Sequence, residues 1–229
     1  ENEKIVLENL NNMRINLKSK LPLELWYKKS TLSSDFFENV YKIENVTLNN
    51  LEQFYNDEQL SNLSNEGLKW LSLQFSEFQE VILMNDNVLV YNDLQFLLDL
   101  HLYQEAGIIL FPNLKEPYND DESYNNFVKS NINNYDKIPK EQKYIVNSVD
   151  NTNIHDQRKF FNDNGMIVIN RTRHRLVLDK IYNYVLTNKT ENDYNLSQLL
   201  WIELVNNDYD IYISDIPQVT LPIDNSKYN

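Results

Sequence analysis

Residues 78–111, FQEVILMNDNVLVYNDLQFLLDLHLYQEAGIILF, are the stretch that says most about the fold. Within it, residues 81–84 form a short, continuous apolar run, which is typical of a β-strand buried on both faces. Three short polar side chains follow at the carboxyl end of this strand: Asn85, Asp86 and Asn87. In open α/β sheets, ligands bind in the crevice beyond the strand ends. The stretch therefore predicts a buried central strand with a polar cluster at its end.

The polar cluster has two interpretations. A carboxylate flanked by two amides can hold a divalent cation and, through that cation, a diphosphate. Asn and Asp are also favoured in tight turns, because both tolerate the left-handed conformation and bond to their own backbone. From these residues alone, the ligand site and the plain turn both stay open.

Periodicity assigns the remaining elements. Four short apolar runs have the length and composition of strands, at 23–27, 81–84, 107–111 and 166–169. Helical periods alternate with them, chiefly at 4–20, 66–75 and 176–186. This alternation predicts one α/β domain over residues 1–229, in which the four strands are neighbours in a mixed, mainly parallel sheet with helices on both faces. A crossover helix in a parallel sheet needs a strand before it, so we expect the sheet to lack its first strand here.

Residues 112–143 interrupt this alternation. The segment is acidic, rich in Tyr and Asn, and has no clear period. Long irregular segments within a domain are either functional loops or plain surface excursions. We predict an irregular acidic insertion and leave open whether it shapes a substrate site.

Composition excludes several classes of protein. A hydrophobic content of 41% supplies a core, so the chain is globular rather than disordered. The net charge of −13 argues against nucleic acid or an anionic membrane surface as the main partner. With no cysteine, no disulfide framework exists. There is also no Gly-rich phosphate loop, nucleophile elbow or Cys-His metal pattern.

Five N-x-S/T sequons bear on cellular location. They begin at Asn45, Asn62, Asn170, Asn188 and Asn195. Because the chain contains 36 Asn residues, several sequons would arise by chance, so they permit a secretory location without requiring it. No stretch reaches the roughly 20 apolar residues of a membrane span, and the first residues do not form a signal peptide. We expect that a secretory form needs an anchor upstream of this sequence.

The central stretch also carries a family resemblance. EVILMNDNVLVYNDLQFLL followed by YQEAGIILFPN resembles a signature of the fungal alpha-mannosyltransferases that extend the mannan outer chain. The matching positions are Asp86-Asn87-Val88 for D-N-V, then Asp93, Tyr103, Glu105, Gly107 and Phe111-Pro112. The leading Asp of the family's D-x-D falls on Met84.

The resemblance covers about residues 5–215 and is more specific at 80–112 and 163–174 than elsewhere. Further positions that align with family motifs are Lys69, Asp163, Gly165, Ile169, Arg173 and His174. The three glycines of the chain, Gly67, Gly107 and Gly165, all fall on motif glycines. Glycine is needed where the backbone takes a positive φ or approaches a ligand closely, so this coincidence favours the family's fold.

The resemblance implies a GT-A-like glycosyltransferase that moves mannose from GDP-mannose to a mannan or glycoprotein glycan. It implies a divalent metal, Mn²⁺ or Mg²⁺, held by Asp86 and His174, which acts as a Lewis acid on the diphosphate. It implies catalytic roles for Glu105 and Asp163. It implies donor binding by Lys69, Asn85, Asn87, Gly107 and Gly165. It also implies residence in the Golgi lumen, through a membrane anchor absent from this chain, and association with other glycosyltransferases.

Each of these residues also has a structural interpretation. Lys69 fits a solvated surface charge, His174 fits a hydrogen-bonded structural histidine, and Glu105 fits a turn contact beside Gly107. The departures at Met84 and in the last helix, where a family Asp-Lys pair falls on Leu196-Ser197, support a second hypothesis. In that hypothesis the chain is a catalytically degenerate relative that serves as a binding or assembly partner.

Overall fold

The computed structural model of this chain describes residues 2–28, 32–61, 63–111, 165–187 and 194–214. Its helices are α1 (Asn2–Asn11), α2 (Ser34–Val40), α3 (Asp57–Ser61), α4 (Asn65–Phe75), α5 (Gln95–Asp99), α6 (His101–Ala106), α7 (Arg175–Thr187) and α8 (Tyr194–Asn206). A π-helical turn (Asn12–Asn16) extends α1, and a 3₁₀ turn (Leu51–Gln53) precedes α3. None of the helices within these ranges is long and apolar enough to cross a membrane.

The strands form two separate sheets. They are β1 (Leu23–Tyr27), β2 (Val46–Asn50), β3 (Glu80–Met84), β4 (Ile108–Leu110), β5 (Met166–Asn170) and β6 (Tyr212–Ile213). The larger sheet has the order β3-β5-β4-β6, and the smaller one pairs β1 with β2. This confirms an α/β protein in which the strands at 81–84, 107–111 and 166–169 share one sheet.

Two details of the predicted sheet are wrong. The strand at 23–27 pairs with β2 alone among the described residues, and it does not join the larger sheet. The larger sheet is also not mainly parallel, because β5 runs antiparallel to both β3 and β4, and only β4 and β6 are parallel. Burial separates β1 from the central strand of the larger sheet. β1 is half-buried along its whole length, whereas β5 is buried from Met166 to Ile169.

The central position of β5 follows from its sequence. Ile167, Val168 and Ile169 are completely buried, as expected of a strand covered on both faces. Each such side chain stabilises the fold by about 1.5–3 kcal/mol relative to exposure. The pairing register places Met84 opposite Met166 and Ile108 opposite Ile169. The carboxyl end of β3 therefore meets the beginning of β5, and the beginning of β4 meets the end of β5.

Helices cover both faces of the larger sheet, as predicted. One face packs Ile167 and Ile169 against α4, α7 and α8, whose largest buried side chains are Trp70 and Trp201. The other face packs Met166 and Val168 against side chains of the π-helical turn, α5 and α6, namely Met13, Leu97 and Tyr103. A third, smaller cluster joins the β1–β2 sheet to α1 and α2. The predicted insertion at 112–143 lies outside the described residues.

Candidate functional site

The Asn85-Asp86-Asn87 cluster lies where the sequence predicts it, directly after β3. The backbone N–H of Asn85 donates to the carbonyl oxygen of Gly165 at 2.9 Å, which continues the pairing of β3 with β5 by one residue. The N–H of Val88 then donates to the carbonyl of Asn85 at 3.2 Å, closing a turn. Asp86 and Asn87 are exposed in that turn. The cluster is therefore a turn at the carboxyl end of β3. Its interpretation as a ligand site stays a prediction.

Two asparagines of the first helical segment hold the chain that follows this turn. The Nδ2 of Asn9 donates to the carbonyl of Val88 at 2.8 Å, while its Oδ1 accepts the N–H of Val90 at 3.0 Å. Asn12 donates from Nδ2 to the carbonyl of Val90 at 2.7 Å. These side-chain amides form the hydrogen bonds to Val88 and Val90 that the backbone of a neighbouring strand would otherwise form. Since Val90 is buried, its N–H and carbonyl would otherwise lack partners, at a cost of about 1–3 kcal/mol each.

Sequence reasoning missed Asn9 and Asn12. Their spacing of three residues puts them on one face of the helix. Asparagine is unfavourable inside helices because its side chain competes for backbone bonds. Two asparagines on the face otherwise used for packing would have been a usable signal. The overall abundance of Asn in this chain hides that signal.

Asp93 anchors the end of the same segment. Its Oδ1 accepts the hydroxyl of Ser19 at 2.8 Å and the N–H of Gln95 at 3.3 Å. The second bond lies at the beginning of α5, which follows at once in sequence. The resemblance singles out Asp93 without a role, and the structure gives it a structural one, linking the chain after the π-helical turn to α5.

The other sequence-predicted residues gather at the opposite end of β5. Gly107 ends α6 with φ +72°, and its carbonyl accepts the N–H of Asn170, the last residue of β5, at 2.8 Å. A Cβ added at Gly107 would lie 2.7 Å from Cδ of Arg173 and 3.1 Å from Nε2 of His174. Glycine is therefore required here by backbone conformation and by close packing.

Gly67 has no such requirement. It lies in the first turn of α4, where its N–H donates to the Ser64 hydroxyl at 3.1 Å. A Cβ there would make ordinary contacts, 3.5 Å from Leu63 and Val185. The coincidence of the three glycines with motif positions thus reflects a backbone need at Gly107, but not at Gly67.

His174 makes structural contacts inside the fold. Its side chain is completely buried, and Nε2 donates to the carbonyl of Ala106 at 3.1 Å. Its ring meets that of Tyr209 edge-to-face, with centroids 4.9 Å apart. Burial lowers the pKa of His174, with a smaller contribution from the nearby positive charge of Arg173. The imidazole is therefore neutral and ties the start of α7 to the turn between α6 and β4.

The structure places Asp86 and His174, the predicted ligands of one metal ion, toward opposite ends of β5. Asp86 lies two residues after Met84, the partner of Met166, whereas His174 lies four residues after Asn170, at the other end of β5. Four steps along a strand span roughly 13 Å. Two ligands of one cation, each at about 2–2.6 Å from it, must lie much closer together than that. Adjacency to family motifs in the sequence did not reveal which end of the sheet each motif occupies.

Two further predicted residues, Glu105 and Lys69, are also placed by the structure. Glu105 lies on α6, and the side chain of Lys69 is buried. Glu105 comes before β4 and thus lies toward the Gly107 end; its Oε1 is 3.6 Å from Nδ1 of His101. Lys69 forms an ion pair with Glu66 at 2.8 Å, and both side chains are almost entirely buried. Asp163 lies outside the described residues. The structure therefore brings Asn85, Asp86, Asn87 and Gly165 together, and leaves Glu105, Gly107 and His174 elsewhere.

The donor atoms around Asp86 suit a hard cation that is shared with a substrate. Within the described ranges, no group of three or more His, Cys, Asp or Glu side chains could enclose a metal by itself. Mg²⁺ and similar ions, however, are commonly held by one or two carboxylates together with substrate phosphates. Asp86 is an exposed residue flanked in sequence by Asn85 and Asn87, and carboxylate and amide oxygens are ligands of the kind that such a shared cation uses. Met84 adds nothing, because a thioether is a soft, uncharged ligand.

Comparison with known proteins identifies the family. A search of curated proteins found no match to the chain. A family model described as "Mannosyltransferase putative" matches residues 2–201, which include every described element of the fold except the end of α8 and strand β6. Because this match covers most of the 229 residues, the chain belongs to that mannosyltransferase family.

Proposed function

We propose that this chain transfers mannose from GDP-mannose to a mannan or glycoprotein glycan, with the donor diphosphate bound at the turn after β3. The observation that carries this proposal is the exposed Asp86 carboxylate on a turn fixed from two sides. Membership of a mannosyltransferase family supports the reaction class. The position beyond a strand's carboxyl end is where α/β folds bind ligands.

The chain's own residues supply binding and orientation in this proposal. Asp86 and the neighbouring Asn85 and Asn87 would hold Mn²⁺ or Mg²⁺ together with the diphosphate oxygens. A bound metal ion neutralises charge on the departing nucleoside diphosphate. The backbone bond from Asn85 to Gly165 fixes one side of the turn. The amides of Asn9 and Asn12 fix the chain that leaves it. A preorganised turn of this kind lowers the ordering cost of binding.

Titration calorimetry of GDP-mannose, with Mn²⁺ and with chelator, tests the proposal. Asp86→Ala removes the carboxylate, so we expect it to abolish the metal-dependent part of donor binding. Asp179→Ala is the matched control, since Asp179 is also an exposed aspartate but lies on α7 and faces Arg175 at 3.9 Å. Metal-dependent binding that survives Asp86→Ala unchanged would refute the proposed site.

One observation favours a second candidate function. The position of the family's leading Asp is Met84, so the turn carries one carboxylate where the resemblance leads us to expect two. A site that lost its metal would leave a protein that binds glycans or other glycosyltransferases without transferring sugar. Wild-type chain that binds neither Mn²⁺ nor GDP-mannose would support this candidate.

We extend the proposal to the fold type and the cellular location of this chain. A GT-A-type arrangement and residence in the Golgi lumen both follow from the mannosyltransferase assignment rather than from contacts within the chain. The net charge of −13 is compatible with a neutral glycan acceptor and unfavourable for nucleic acid. Immunolocalisation against Golgi markers checks the location.

A further inference from the structure

Two of the five sequons have asparagine side chains that the structure describes, and their surroundings differ. One is Asn45-Val46-Thr47, between α2 and β2, and the other is Asn170-Arg171-Thr172, between β5 and α7. The sequons at Asn62, Asn188 and Asn195 fall on positions whose side chains are not described. The two described sequons can therefore be compared as attachment sites.

The backbone of Asn45 is held firmly while its side chain is exposed. Its carbonyl accepts the N–H of Leu23 at 2.9 Å and a guanidinium N–H of Arg14 at 3.1 Å. Arg14 also donates to the carbonyl of Glu44 at 2.9 Å. Asn45 takes φ +56°, a conformation that asparagine tolerates better than most residues. No hydrogen bond involves its side-chain amide within the described residues, so a group attached to Nδ2 displaces no contact there.

The hydroxyl residue of the same sequon is equally accessible. Thr47 is exposed on β2, whereas its neighbours Val46 and Leu48 turn toward the small core formed with α1 and α2. This follows from the alternation of side chains along a strand. Asn45 and Thr47 thus present both recognition groups of the sequon to solvent in the folded protein.

Asn170 is in the opposite situation. It is half-buried, and its Oδ1 accepts the N–H of Arg173 at 3.0 Å, so its side chain builds the turn before α7. The central residue of the sequon, Arg171, is tied down as well. Its guanidinium donates to the carbonyls of Gln74 and Phe78, both at 2.9 Å. A glycan on Asn170 would have to fit among these contacts at the end of the sheet.

We propose that Asn45 carries an N-linked glycan and that Asn170 does not. In this modification, Nδ2 of Asn45 forms a bond to the anomeric carbon of a lipid-linked oligosaccharide diphosphate. The bond from that carbon to the phosphate oxygen breaks, the lipid diphosphate leaves with the electron pair, and the amide nitrogen loses one proton. The proposal rests on the lumenal location given with the proposed function.

Peptide mass mapping after treatment with peptide-N-glycosidase tests the proposal on chain isolated from its source cells and on chain secreted from yeast behind a cleavable signal. Glycosidase converts a glycosylated Asn to Asp, so a gain of about 1 Da marks each occupied site. We expect near-complete conversion at Asn45 and none at Asn170 in folded, soluble protein. An unmodified Asn45 in either preparation, or an occupied Asn170 in folded protein, overturns the proposal.

Sequon variants separate glycan loss from misfolding. Thr47→Val destroys the sequon but keeps Asn45, and Asn45→Asp keeps a residue that tolerates positive φ. We expect both secreted variants to lose the mass of one glycan, while Asn170→Gln loses none. A glycan that persists in Thr47→Val would overturn the assignment. Because this readout needs no transferase activity, a glycosylated chain that fails to bind GDP-mannose contradicts the proposed function alone, and a chain that binds it with Asn45 bare contradicts this inference alone.

Discussion

The side-chain oxygen of Asn9 accepts the backbone N–H of Val90 at 3.0 Å, across 81 residues of sequence. Together with the bond from its Nδ2 to the Val88 carbonyl, this makes one asparagine act as a strand partner for the chain leaving the Asp86 turn. Helix α1 is thereby attached to the candidate site. A substitution in the first helix is expected to act on donor binding.

The first prediction concerns the two bonds of Asn9. Asn9→Asp keeps the acceptor for Val90 and loses the donor to Val88, whereas Asn9→Ala loses both. We expect donor affinity to fall in the order wild type, Asn9→Asp, Asn9→Ala. Urea unfolding should show that Asn9→Ala costs about 1–3 kcal/mol, because the buried N–H of Val90 loses its partner.

Asn39→Ala is the control for Asn9. Asn39 also donates from its side chain to a backbone carbonyl, that of Asp35 at 2.8 Å, but it lies exposed on α2. We expect this variant to keep wild-type donor affinity and to lose less than about 1 kcal/mol of stability. Equal effects of Asn9→Ala and Asn39→Ala on donor affinity would show that Asn9 does not position the site.

The second prediction compares two glycines. Gly107→Ala forces alanine into the left-handed region, at a cost of about 1–2 kcal/mol, and brings Cβ to within 2.7 Å of Cδ of Arg173. Gly67→Ala places a methyl group at ordinary contact distance from its neighbours within α4 and is expected to be stabilising by about 0.5 kcal/mol. Urea unfolding of both variants checks the opposite signs. A Gly107→Ala protein as stable as wild type would contradict the proposed backbone requirement.

The extent to which the sequence predicted this fold depends on whether the signal was local. The apolar runs that became β4 and β5 were found because a strand buried on both faces needs apolar residues at nearly every position. The run at 81–84 was also recognised as a strand, but the prediction that it is central and buried on both faces is wrong: β3 lies at the edge of the described sheet, and only Val81 and Leu83 are buried. The direction of β5 could not be found, because alternation of side chains reads the same in parallel and antiparallel pairs. β1 was misplaced for the related reason that a half-buried strand can lie in either sheet.

At the candidate site, too, the sequence revealed local features but not contacts between remote residues. Asp86 was located from local residues, since a polar cluster that follows an apolar run marks a strand end. The contact of His174 with the Ala106 carbonyl could not be predicted, because that carbonyl lies 68 residues away and carries no signature in the sequence. The contacts of Asn9 are equally remote. Which motifs share one end of a sheet is decided by strand order, and strand order is a tertiary property.

The third prediction concerns pH and His174. Burial lowers the pKa of His174 below its ordinary 6.5, so the unfolded chain binds a proton that the folded chain excludes. The free energy of unfolding is therefore unaffected by His174 above about pH 6.5, where the unfolded chain is also neutral at this position. It falls as the pH drops below that value, because only the unfolded chain takes up the proton. We expect His174→Gln, whose side-chain N–H can still reach the Ala106 carbonyl, to reduce this loss. Urea unfolding at pH 7.5, 6.5 and 5.5 measures the slope of stability against pH. Parallel slopes for wild type and variant would contradict the prediction, since the carboxylates contribute equally to both.

The last prediction distinguishes an active site from a vestigial one. Met84 ends β3 opposite Met166 and precedes Asp86 by two residues. Met84→Asp adds a second carboxylate at the turn, at the expense of a half-buried apolar side chain worth about 1 kcal/mol. Because oxygen-binding cations prefer additional negative charge, we expect Mn²⁺ affinity to rise several-fold over wild type.

Met84→Asn is the matched control for this variant, because it changes size and polarity in the same way without adding charge. If Met84→Asp binds Mn²⁺ and GDP-mannose more tightly than Met84→Asn, and Asp86→Ala binds neither, the turn is a metal-assisted donor site that one substitution has weakened. If all three variants bind like wild type in calorimetry, the turn contributes no ligand. The exposed Asp86 would then be an ordinary turn residue, and the non-catalytic function would follow only if the wild type also binds neither ligand.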